Sequence, residues 1–284
     1  MKKTIYFLLL VLAIYGVNKL INYLEYPKEI SFDKKTIKKA IVVGATSGMG
    51  RQVAKILSAN GYEVGLVGRR ENLLLSLKKE LPTKSYTRSI DVSKIDLAKN
   101  QLEQLIAQMG GLDLIFISVS AQGDFDFGTP TSHLTWEDIK KFIDVDLGGF
   151  WVAAHVAVKQ FEKQGHGHLI GVSSIQKIHG SSFGPEYSGA KAFISKYLDG
   201  IRNRMIKNKL PIFVTEIIPG PVDVERKIYS DVKGLFWVIT KEEAAKQIYN
   251  AIKNKKEKVY VDKKYRFIAW FLSIIPDWLY RKFE

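Results

Sequence analysis

The sequence predicts an α/β protein in which helices cover both faces of a doubly wound parallel sheet. Between residues 37 and 261, short segments rich in β-branched residues alternate with amphipathic segments. Strict alternation of this kind requires parallel strands joined by crossover helices. The segment at residues 112–118 is almost continuously apolar, as expected of a strand that is covered on both faces. No linker rich in proline or glycine interrupts the stretch, so we expect a single domain.

Each predicted element begins and ends at a recognisable signal. We expect strands at residues 41–43, 63–67, 85–91, 112–118, 168–173, 212–218 and 258–261. We expect helices at residues 51–59, 71–80, 93–109, 136–164, 187–208 and 241–254. Asn60-Gly61 ends the first helix, because glycine does not continue regular structure. In a sheet of this kind the ligand binds beyond the carboxyl ends of the strands, so the residues after each strand are the candidate site.

The composition excludes several classes of protein. The chain has 284 residues and no cysteine, and 46% of its residues are hydrophobic. It therefore has no disulfide scaffold, zinc-thiolate site or cysteine nucleophile, and it has enough apolar material to fold. The five histidines show no paired spacing typical of a metal site, so no metal is expected. The sequence also lacks the series of long apolar runs found in polytopic membrane proteins.

The net charge of +14 is concentrated at the two ends of the chain. Residues 1–40 hold eight lysines and three acidic residues, and residues 253–284 hold nine basic and four acidic residues. A nucleic-acid-binding protein more often carries its excess charge on the folded body, so we do not expect a nucleic-acid partner. Here the basic residues flank the two most apolar stretches, which favours contact with an anionic membrane surface.

The two apolar ends suggest membrane association. The first runs from Ile5 to Val17 and continues, with interruptions, to Leu24. We interpret residues 1–36 as a membrane anchor with a basic linker; a cleaved secretory signal and a helix in the membrane interface are the alternatives. In residues 262–284, tryptophan and tyrosine lie between basic clusters, a pattern typical of a bilayer interface. The alternative for this tail is a helix that packs on the domain or at a dimer interface.

A glycine-rich loop follows the first predicted strand. It reads Gly44-Ala45-Thr46-Ser47-Gly48-Met49-Gly50 and opens the first helix. Glycines allow the backbone to approach a pyrophosphate, and the helix N-terminus supplies amide donors and a favourable dipole. The position of the loop between strand and helix therefore predicts dinucleotide binding by Gly44, Thr46, Ser47, Gly48, Met49 and Gly50.

The residues after the second and third strands bear on the choice of dinucleotide. Arg69 and Arg70 follow the second strand, where binders of NAD(H) place an acid. Guanidinium groups suit a 2′-phosphate, so we expect NADP(H) to be favoured over NAD(H), with Arg69 the stronger candidate. The alternative is that either arginine simply faces solvent. Asp91-Val92 follow the third strand, where the carboxylate is expected either to contact adenine or to cap the next helix.

Three residues form a candidate catalytic set. Tyr187 and Lys191 are four residues apart in a predicted helix and therefore share one face. An ammonium group beside a phenol favours the phenolate, which makes the phenol a suitable general acid for a carbonyl oxygen. Ser174 ends the fifth strand, and its hydroxyl is expected to stabilise charge on the same oxygen. A Tyr-x-x-x-Lys pair alone is commonly a solvated helix face, but its order after the glycine-rich loop and Ser174 predicts catalysis.

From about Lys38 to Val261 the chain resembles a short-chain dehydrogenase/reductase. The matching residues are Gly44-x-x-x-Gly48-x-Gly50, Asp91-Val92, Ser174, Tyr187-x-x-x-Lys191 and Pro219-Gly220. The resemblance implies a Rossmann-type sheet, a nicotinamide cofactor and reversible hydride transfer between a carbonyl and an alcohol. It also implies that Tyr187 and Lys191 contact the cofactor, with Lys191 on the nicotinamide ribose. The nicotinamide side of the pocket is then lined by Pro219, Gly220 and Val222.

The chain departs from the family pattern at three places. Val43 precedes the first glycine, where the family usually has threonine. Residues 117–120 read Ile-Ser-Val-Ser where the family has Asn-Asn-Ala-Gly, and Ser118 is expected to keep one polar contact in this cofactor-supporting segment. Asp146 occupies the position of a catalytic asparagine, and its carboxylate is expected to pair with Lys191. We therefore expect an altered rate or pH optimum rather than loss of activity.

The sequence leads to a principal hypothesis and an alternative. The principal one is a membrane-associated, NADPH-dependent oxidoreductase that acts on a lipophilic carbonyl or alcohol, such as a keto-lipid or keto-sphingoid-like compound. Because NADPH is cytosolic, we expect its catalytic domain on the cytoplasmic side. Residues 221–240, which cover the substrate in the family, mix apolar and basic side chains here. The alternative is a catalytically impaired NADP(H)-binding sensor or scaffold at a membrane. The resemblance also allows a homo-oligomer.

Overall fold

The described part of the chain is built on a sheet of parallel strands. The computed structural model describes residues 38–121, 133–182, 184–223 and 238–282. Within them the strands are β1 (Lys39–Val43), β2 (Glu63–Gly68), β3 (Ser85–Ser89), β4 (Leu114–Ile117), β5 (Gly167–Val172), β6 (Ile212–Pro219), β7 (Val222–Asp223), β8 (Ile239–Thr240) and β9 (Lys258–Val261). Seven of these described strands form one parallel sheet in the order β3-β2-β1-β4-β5-β6-β9. The short strands β7 and β8 pair separately.

Helices cover both faces of this sheet. They are α1 (Gly48–Ala59), α2 (Glu71–Glu80), α3 (Ile95–Met109), α4 (Trp136–Phe142), α5 (Phe150–Gln164), α6 (Pro185–Lys207), α7 (Lys241–Lys253), α8 (Tyr265–Ile274) and α9 (Asp277–Tyr280). One buried apolar cluster joins the sheet to α3, α5 and α6, and a second joins it to α1, α2 and α7. This arrangement confirms the predicted Rossmann-type, doubly wound α/β fold.

The order of the strands reverses at β1. This strand pairs with β2 on one side and with β4 on the other, so the connections that leave β1 and β4 lead to opposite faces of the sheet. Ligands of open α/β sheets bind in the crevice at such a switch point. The Ser118 amide, just after β4, donates to the Val43 carbonyl at 2.9 Å. The glycine-rich loop after β1 and Ser118 therefore lie side by side at this crevice.

The helix predicted for residues 136–164 is not continuous. A π-helical turn at Ile143–Gly149 separates α4 from α5. A β-carbon at Gly149 would lie 2.6 Å from the Val92 side chain, so glycine lets the turn pack against the segment after β3. π-helical turns are rare and occur frequently at functional sites. This one carries Asp146, whose side chain is fully buried.

The terminal segments are described only in part. The predicted anchor, residues 1–36, lies outside the described residues. Most of the predicted tail folds as α8 and α9, which follow β9. Among the described helices, none is both long enough and apolar enough to cross a membrane. The domain boundaries at residues 36/37 and 261/262 stay a prediction.

His168 is a buried, neutral side chain in the central sheet. Its Nε2 lies 2.7 Å from Thr215 Oγ1 on β6. Because the Thr215 hydroxyl donates to the Lys256 carbonyl, the histidine must donate to the threonine. Burial, reinforced by the nearby Lys255 ammonium, lowers the pKa of His168 to about 3.

We expect the fold to lose stability through His168 as the pH falls below the pKa of a free imidazole. An unfolded histidine takes up a proton near pH 6.5, whereas folded His168, with its pKa of about 3, stays neutral at pH 5. Proton uptake by the unfolded chain therefore lowers the free energy of unfolding by about 2 kcal/mol between pH 8 and pH 5. In urea titrations, the free energy of unfolding of His168→Gln should fall between pH 8 and pH 5 by this much less than that of the wild type. The exposed His155→Gln is the control, and equal declines in both variants would contradict the assignment.

Candidate active site

A cavity of about 310 Å³ lies at the carboxyl edge of the sheet. The segments that follow β1 to β6 form its walls, as expected of a site at the switch point. The predicted site residues that line it are Gly44, Thr46, Ser47, Gly48, Met49, Arg69, Arg70, Asp91, Val92, Ser118, Ser174, Tyr187, Lys191, Pro219, Gly220 and Val222. The other two, Gly50 and Asp146, are buried behind the wall.

The glycine-rich loop turns tightly from β1 into α1. Gly44 has a φ of +91°, and the amides of Gly44 and Ala45 both donate to the Val67 carbonyl of β2. Ser47 and Met49, at the N-terminus of α1, line the cavity. The first amides of a helix have no partner within the helix, so this N-terminus and its dipole are available to a phosphate group.

Close packing requires the third glycine of the loop. A β-carbon at Gly50 would lie 2.2 Å from the Gly44 carbonyl oxygen, a backbone atom. We expect Gly50→Ala to displace the loop at a cost of about 1–3 kcal/mol and to weaken binding of a nicotinamide dinucleotide in a fluorescence titration. Gly200→Ala is the matched control, because a β-carbon there meets nothing within 4 Å. Unchanged dinucleotide affinity in Gly50→Ala would contradict this role of the loop.

Arg70 reaches from the end of β2 to the glycine-rich loop. Its Nη2 donates to Thr46 Oγ1 at 2.7 Å and to Ser47 Oγ at 2.9 Å. Arg69 also lines the cavity, and its carbonyl accepts a hydrogen bond from the Ser89 hydroxyl. Both arginine side chains are exposed, so an anion in the cavity has access to their charge. The sequence favoured Arg69, whereas these hydrogen bonds hold Arg70 against the loop.

The Asp91 carboxylate closes the turn that follows β3. Its Oδ1 accepts hydrogen bonds from the Ser93 amide at 3.1 Å and from the Ser93 hydroxyl at 2.7 Å. These bonds fix the turn before α3 and do not cap the helix itself, because the N-cap residue of α3 is Lys94. The residue also lines the cavity, and the adenine contact stays a prediction.

Ser174, Tyr187 and Lys191 converge on the same cavity. Ser174 precedes a 3₁₀ turn at Ile175–Lys177, and its Oγ accepts a hydrogen bond from the Gln176 amide at 3.2 Å. The serine hydroxyl can therefore still donate its own proton. Tyr187 and Lys191 lie one turn apart in α6, with the Lys191 ammonium 5.2 Å from the centre of the Tyr187 ring. The arrangement brings a hydroxyl, a phenol and an ammonium together.

Asp146 pairs with Lys191, as the sequence predicted. Its Oδ1 lies 3.1 Å from Lys191 Nζ, and its Oδ2 accepts a hydrogen bond from the Ala121 amide at 2.6 Å. Asp146 is fully buried and Lys191 is 3% exposed. The carboxylate therefore ties α6 to the segment after β4, the segment in which the sequence departs from the family pattern.

Comparison with known proteins decides the family. The family described as short chain dehydrogenase matches residues 38–233 of the chain. The chain belongs to the short-chain dehydrogenase family. It is 32% identical over 191 residues to an uncharacterized oxidoreductase of Myxococcus xanthus. These residues cover 66% of this chain and 73% of that protein. It is 26% identical over 255 residues to the uncharacterized oxidoreductase YxnA of Bacillus subtilis, which covers 85% of this chain and 70% of that protein.

Solved structures share the fold over most of their length. A serine dehydrogenase complexed with NADP+ has a TM-score of 0.68 at 21% identity, covering 78% of this chain and 92% of that one. A short-chain dehydrogenase of Sphingobium yanoikuyae in complex with NADPH has a TM-score of 0.66 at 16% identity. The match covers 84% of this chain and 96% of that one. At these identities the likeness establishes the fold alone. Family membership makes the chain an NAD(P)-dependent oxidoreductase.

Behind Ser174 this short-chain dehydrogenase has an ion pair between a partly buried lysine and a fully buried glutamate, which the sequence did not predict. Lys177 Nζ lies 2.5 Å from Glu216 Oε1 and donates to Ser195 Oγ at 2.8 Å. The Ser173 hydroxyl donates to the same glutamate oxygen at 2.6 Å. Burial lowers the pKa of Lys177, while the Glu216 carboxylate acts in the opposite direction. The pair joins the end of β5, the 3₁₀ turn, α6 and β6. A glutamate within a strand that is apolar apart from this residue and Thr215 was the available signal.

His179 follows Ser174 by five residues but packs on the tail of the dehydrogenase. Its Nε2 lies 2.6 Å from the Leu272 carbonyl oxygen on α8, so this nitrogen donates. Its ring stacks on the Tyr280 ring, with centroids 4.3 Å apart. The histidine therefore links the loop after Ser174 to the last two described helices.

Proposed function

We propose that this short-chain dehydrogenase transfers hydride between NADP(H) and a lipophilic carbonyl or alcohol. The observation that carries the proposal is the convergence of Ser174, Tyr187 and Lys191 on one cavity that Arg70 also lines. The first three residues suit carbonyl–alcohol chemistry. The guanidinium suits a phosphate ester at the end of β2, where the ribose of a dinucleotide lies in folds of this class.

The walls of the cavity fit a nicotinamide dinucleotide. A side chain at Gly50 would displace the loop that approaches the pyrophosphate, and Arg69 and Arg70 would hold a 2′-phosphate. Lys191 would hold the nicotinamide ribose. Pro219, Gly220 and Val222, which line the cavity, would face the nicotinamide. Once bound, the cofactor supplies the hydride for reduction or takes it up in oxidation.

Side chains of the protein carry out the proton transfer. In reduction, the carbonyl carbon gains hydride and its oxygen takes the Tyr187 proton, so that a hydroxyl group forms and a phenolate remains. Ser174 donates a hydrogen bond to the same oxygen while negative charge develops on it. The Lys191 ammonium stabilises the phenolate, and Asp146 holds the lysine at 3.1 Å. Oxidation of the alcohol follows the same steps in reverse.

The cavity wall supports a lipophilic substrate. Near the catalytic set the cavity is lined by the apolar residues Val145, Val172, Ile175, Pro221 and Val222, with the polar Ser173 and Gln176 between them. Burial of apolar substrate surface against such a wall contributes about 25 cal/mol per Å². The predicted substrate cover, residues 221–240, is described only at its two ends.

We further propose that the enzyme works at a membrane surface with its catalytic domain on the cytoplasmic side. The basic residues at both ends of the chain support contact with anionic lipid, and a lipophilic substrate concentrates there. The cytoplasmic side is the side on which NADPH is available. A homo-oligomer stays a prediction from the family resemblance.

A cofactor-oxidation screen tests the reaction and the substrate class. The full chain is mixed with NADPH and ketones of increasing chain length in mild detergent. NADPH oxidation should rise with ketone length, each buried methylene adding about 0.8 kcal/mol, or about fourfold, to kcat/KM. A preference for polar ketones would overturn the substrate class. Tight NADPH binding without turnover of any ketone would overturn the reaction and favour the sensor alternative.

Replacing Arg70 tests the cofactor preference. Arg70→Ser should lower kcat/KM with NADPH by about 10–100-fold, since hydrogen bonds to charged groups contribute about 1.5–3 kcal/mol. The value with NADH should change little. Comparison with Arg69→Ser shows which of the two guanidinium groups determines the preference for NADPH. The control is Arg204→Ser, near the far end of α6. Equal losses with NADPH and NADH in Arg70→Ser would contradict the assignment.

A further inference from the structure

The last two described helices present an apolar face to solvent. The large side chains on this face that are more than half exposed are Phe267, Trp270, Phe271, Ile274 and Trp278. We call these five residues the tail face. The first four follow the i, i+3, i+4, i+7 spacing of one stripe along α8. A contiguous exposed patch of this kind commonly marks a site of protein or membrane contact.

The opposite side of the same helices is fixed to the domain. Tyr265 is buried, and its ring packs so closely on Gly220 that a β-carbon there would lie 2.3 Å from it. The His179 ring holds the tail a second time, through the Leu272 carbonyl of α8 and the Tyr280 ring of α9. The tail face therefore points away from the domain because its reverse side is already packed.

The two anchoring points lie beside the catalytic residues. Gly220 lines the cavity on the predicted nicotinamide side. His179 belongs to the loop between Ser174 and Tyr187, both of which line the cavity. The tail helices are therefore attached to the domain next to the end of the cavity where the substrate reacts.

Basic residues border the tail face at both of its ends. Lys263 and Arg266 lie at its start and Arg281 and Lys282 at its end, and all four are exposed. Asp277 is the acid among residues 263–282. Aromatic side chains between lysine and arginine suit the boundary of headgroups and acyl chains in an anionic bilayer. A symmetric contact between two copies fits less well, because it would bring equally basic borders together.

We propose that the tail face docks on an anionic lipid bilayer and holds the substrate end of the cavity at the membrane interface. The inference rests on the proposed lipophilic substrate and names the surface from which that substrate arrives. A ketone dissolved in the bilayer is then concentrated close to the cavity that Tyr187 lines. The docking itself requires neither cofactor nor turnover.

Single cysteines test the docking, because the chain has none of its own. In the full chain, Trp270→Cys carries an environment-sensitive fluorophore, and Trp136→Cys, at an exposed tryptophan of α4, is the matched control. Each labelled protein is mixed with phosphatidylcholine vesicles, with and without about 30% phosphatidylserine. The label at position 270 should shift to shorter wavelength on the anionic vesicles, and the label at position 136 should not. Arg281→Gln and Lys282→Gln should each weaken vesicle binding by about fivefold.

Two outcomes overturn the docking. The first is an unshifted label at position 270 on vesicles of either composition. The second is a shift that appears without vesicles and grows with protein concentration, which identifies a second copy as the occupant of the tail face. Neither readout depends on a ketone being reduced, so failure of the proposed reaction is seen separately.

A kinetic comparison tests the delivery of substrate. Phe267→Ser combined with Phe271→Ser should lower kcat/KM for a ketone dissolved in anionic vesicles and leave kcat/KM for a water-soluble ketone unchanged. Equal losses with both ketones, or no loss with either, would overturn the role of the tail face in delivery. Trp136→Ser serves as the control for removal of an exposed aromatic side chain elsewhere.

Discussion

Replacing Tyr187 by phenylalanine should reduce kcat for carbonyl reduction by about 10²–10⁴-fold, the range that a positioned general acid contributes. The phenyl ring keeps the volume of the residue and its position 5.2 Å from the Lys191 ammonium. It has no proton to give to the substrate oxygen. NADPH affinity should change little, because the phenyl ring fills the same place and the other residues proposed to hold the dinucleotide are unaltered. Steady-state rates at saturating NADPH and a fluorescence titration measure the two quantities.

Tyr197 offers a matched control on the same helix. It is half-buried and packs edge-to-face on Phe150, with ring centroids 6.0 Å apart. Tyr197→Phe removes a phenol of the same kind outside the cavity and should retain the wild-type kcat. A Tyr187→Phe enzyme within a few-fold of wild type would remove the tyrosine from the proposed mechanism.

Replacing Asp146 by alanine should destabilise the fold by about 3–5 kcal/mol, the typical cost of removing one partner of a buried ion pair. The variant removes the acceptor of the Lys191 ammonium and of the Ala121 amide, at 3.1 and 2.6 Å. Urea unfolding measures the loss. Asp144→Ala is the control, because Asp144 lies on the same π-helical turn but forms a partly exposed pair with Lys140. That change should cost less than about 1 kcal/mol, and equal losses would contradict the special role of Asp146.

Asp146→Asn separates charge from packing at the same position. The amide keeps the shape of the side chain, and one oxygen can still accept a hydrogen bond. The negative charge beside Lys191 is lost, so the ammonium favours the Tyr187 phenolate more strongly. The rate of alcohol oxidation at a fixed pH should therefore rise. A rate equal to that of the wild type would show that the carboxylate charge does not reach the tyrosine.

The sheet was largely predictable because each strand is marked locally. β6 is a continuous apolar run apart from Thr215 and Glu216, and its end at Pro219-Gly220 is a sequence signal. The π-helical turn was not predictable in this way. It depends on the contact of Gly149 with Val92, two residues far apart in the sequence, and no local periodicity encodes such a contact.

Some residues of the candidate site are likewise marked by a local pattern, whereas others are brought together only by long-range contacts. Tyr187 and Lys191 were found because helical spacing places them on one face, and Ser174 because it follows a strand. The ion pair of Lys177 and Glu216 was missed because its two members come from different elements and meet only after folding. The position of Arg70 also depends on a long-range contact, in this case with the hydroxyl groups of the glycine-rich loop.

That position of Arg70 has a consequence for the exchange of dinucleotide during turnover. Two hydroxyl groups hold its guanidinium at 2.7 and 2.9 Å in the folded protein. Immobilising such a side chain costs about 0.5–1.5 kcal/mol of free energy. This cost is then met during folding and not each time a dinucleotide binds. A molecule that binds and leaves once in every catalytic cycle therefore meets a preorganised anion site, and its affinity is higher without any additional contact.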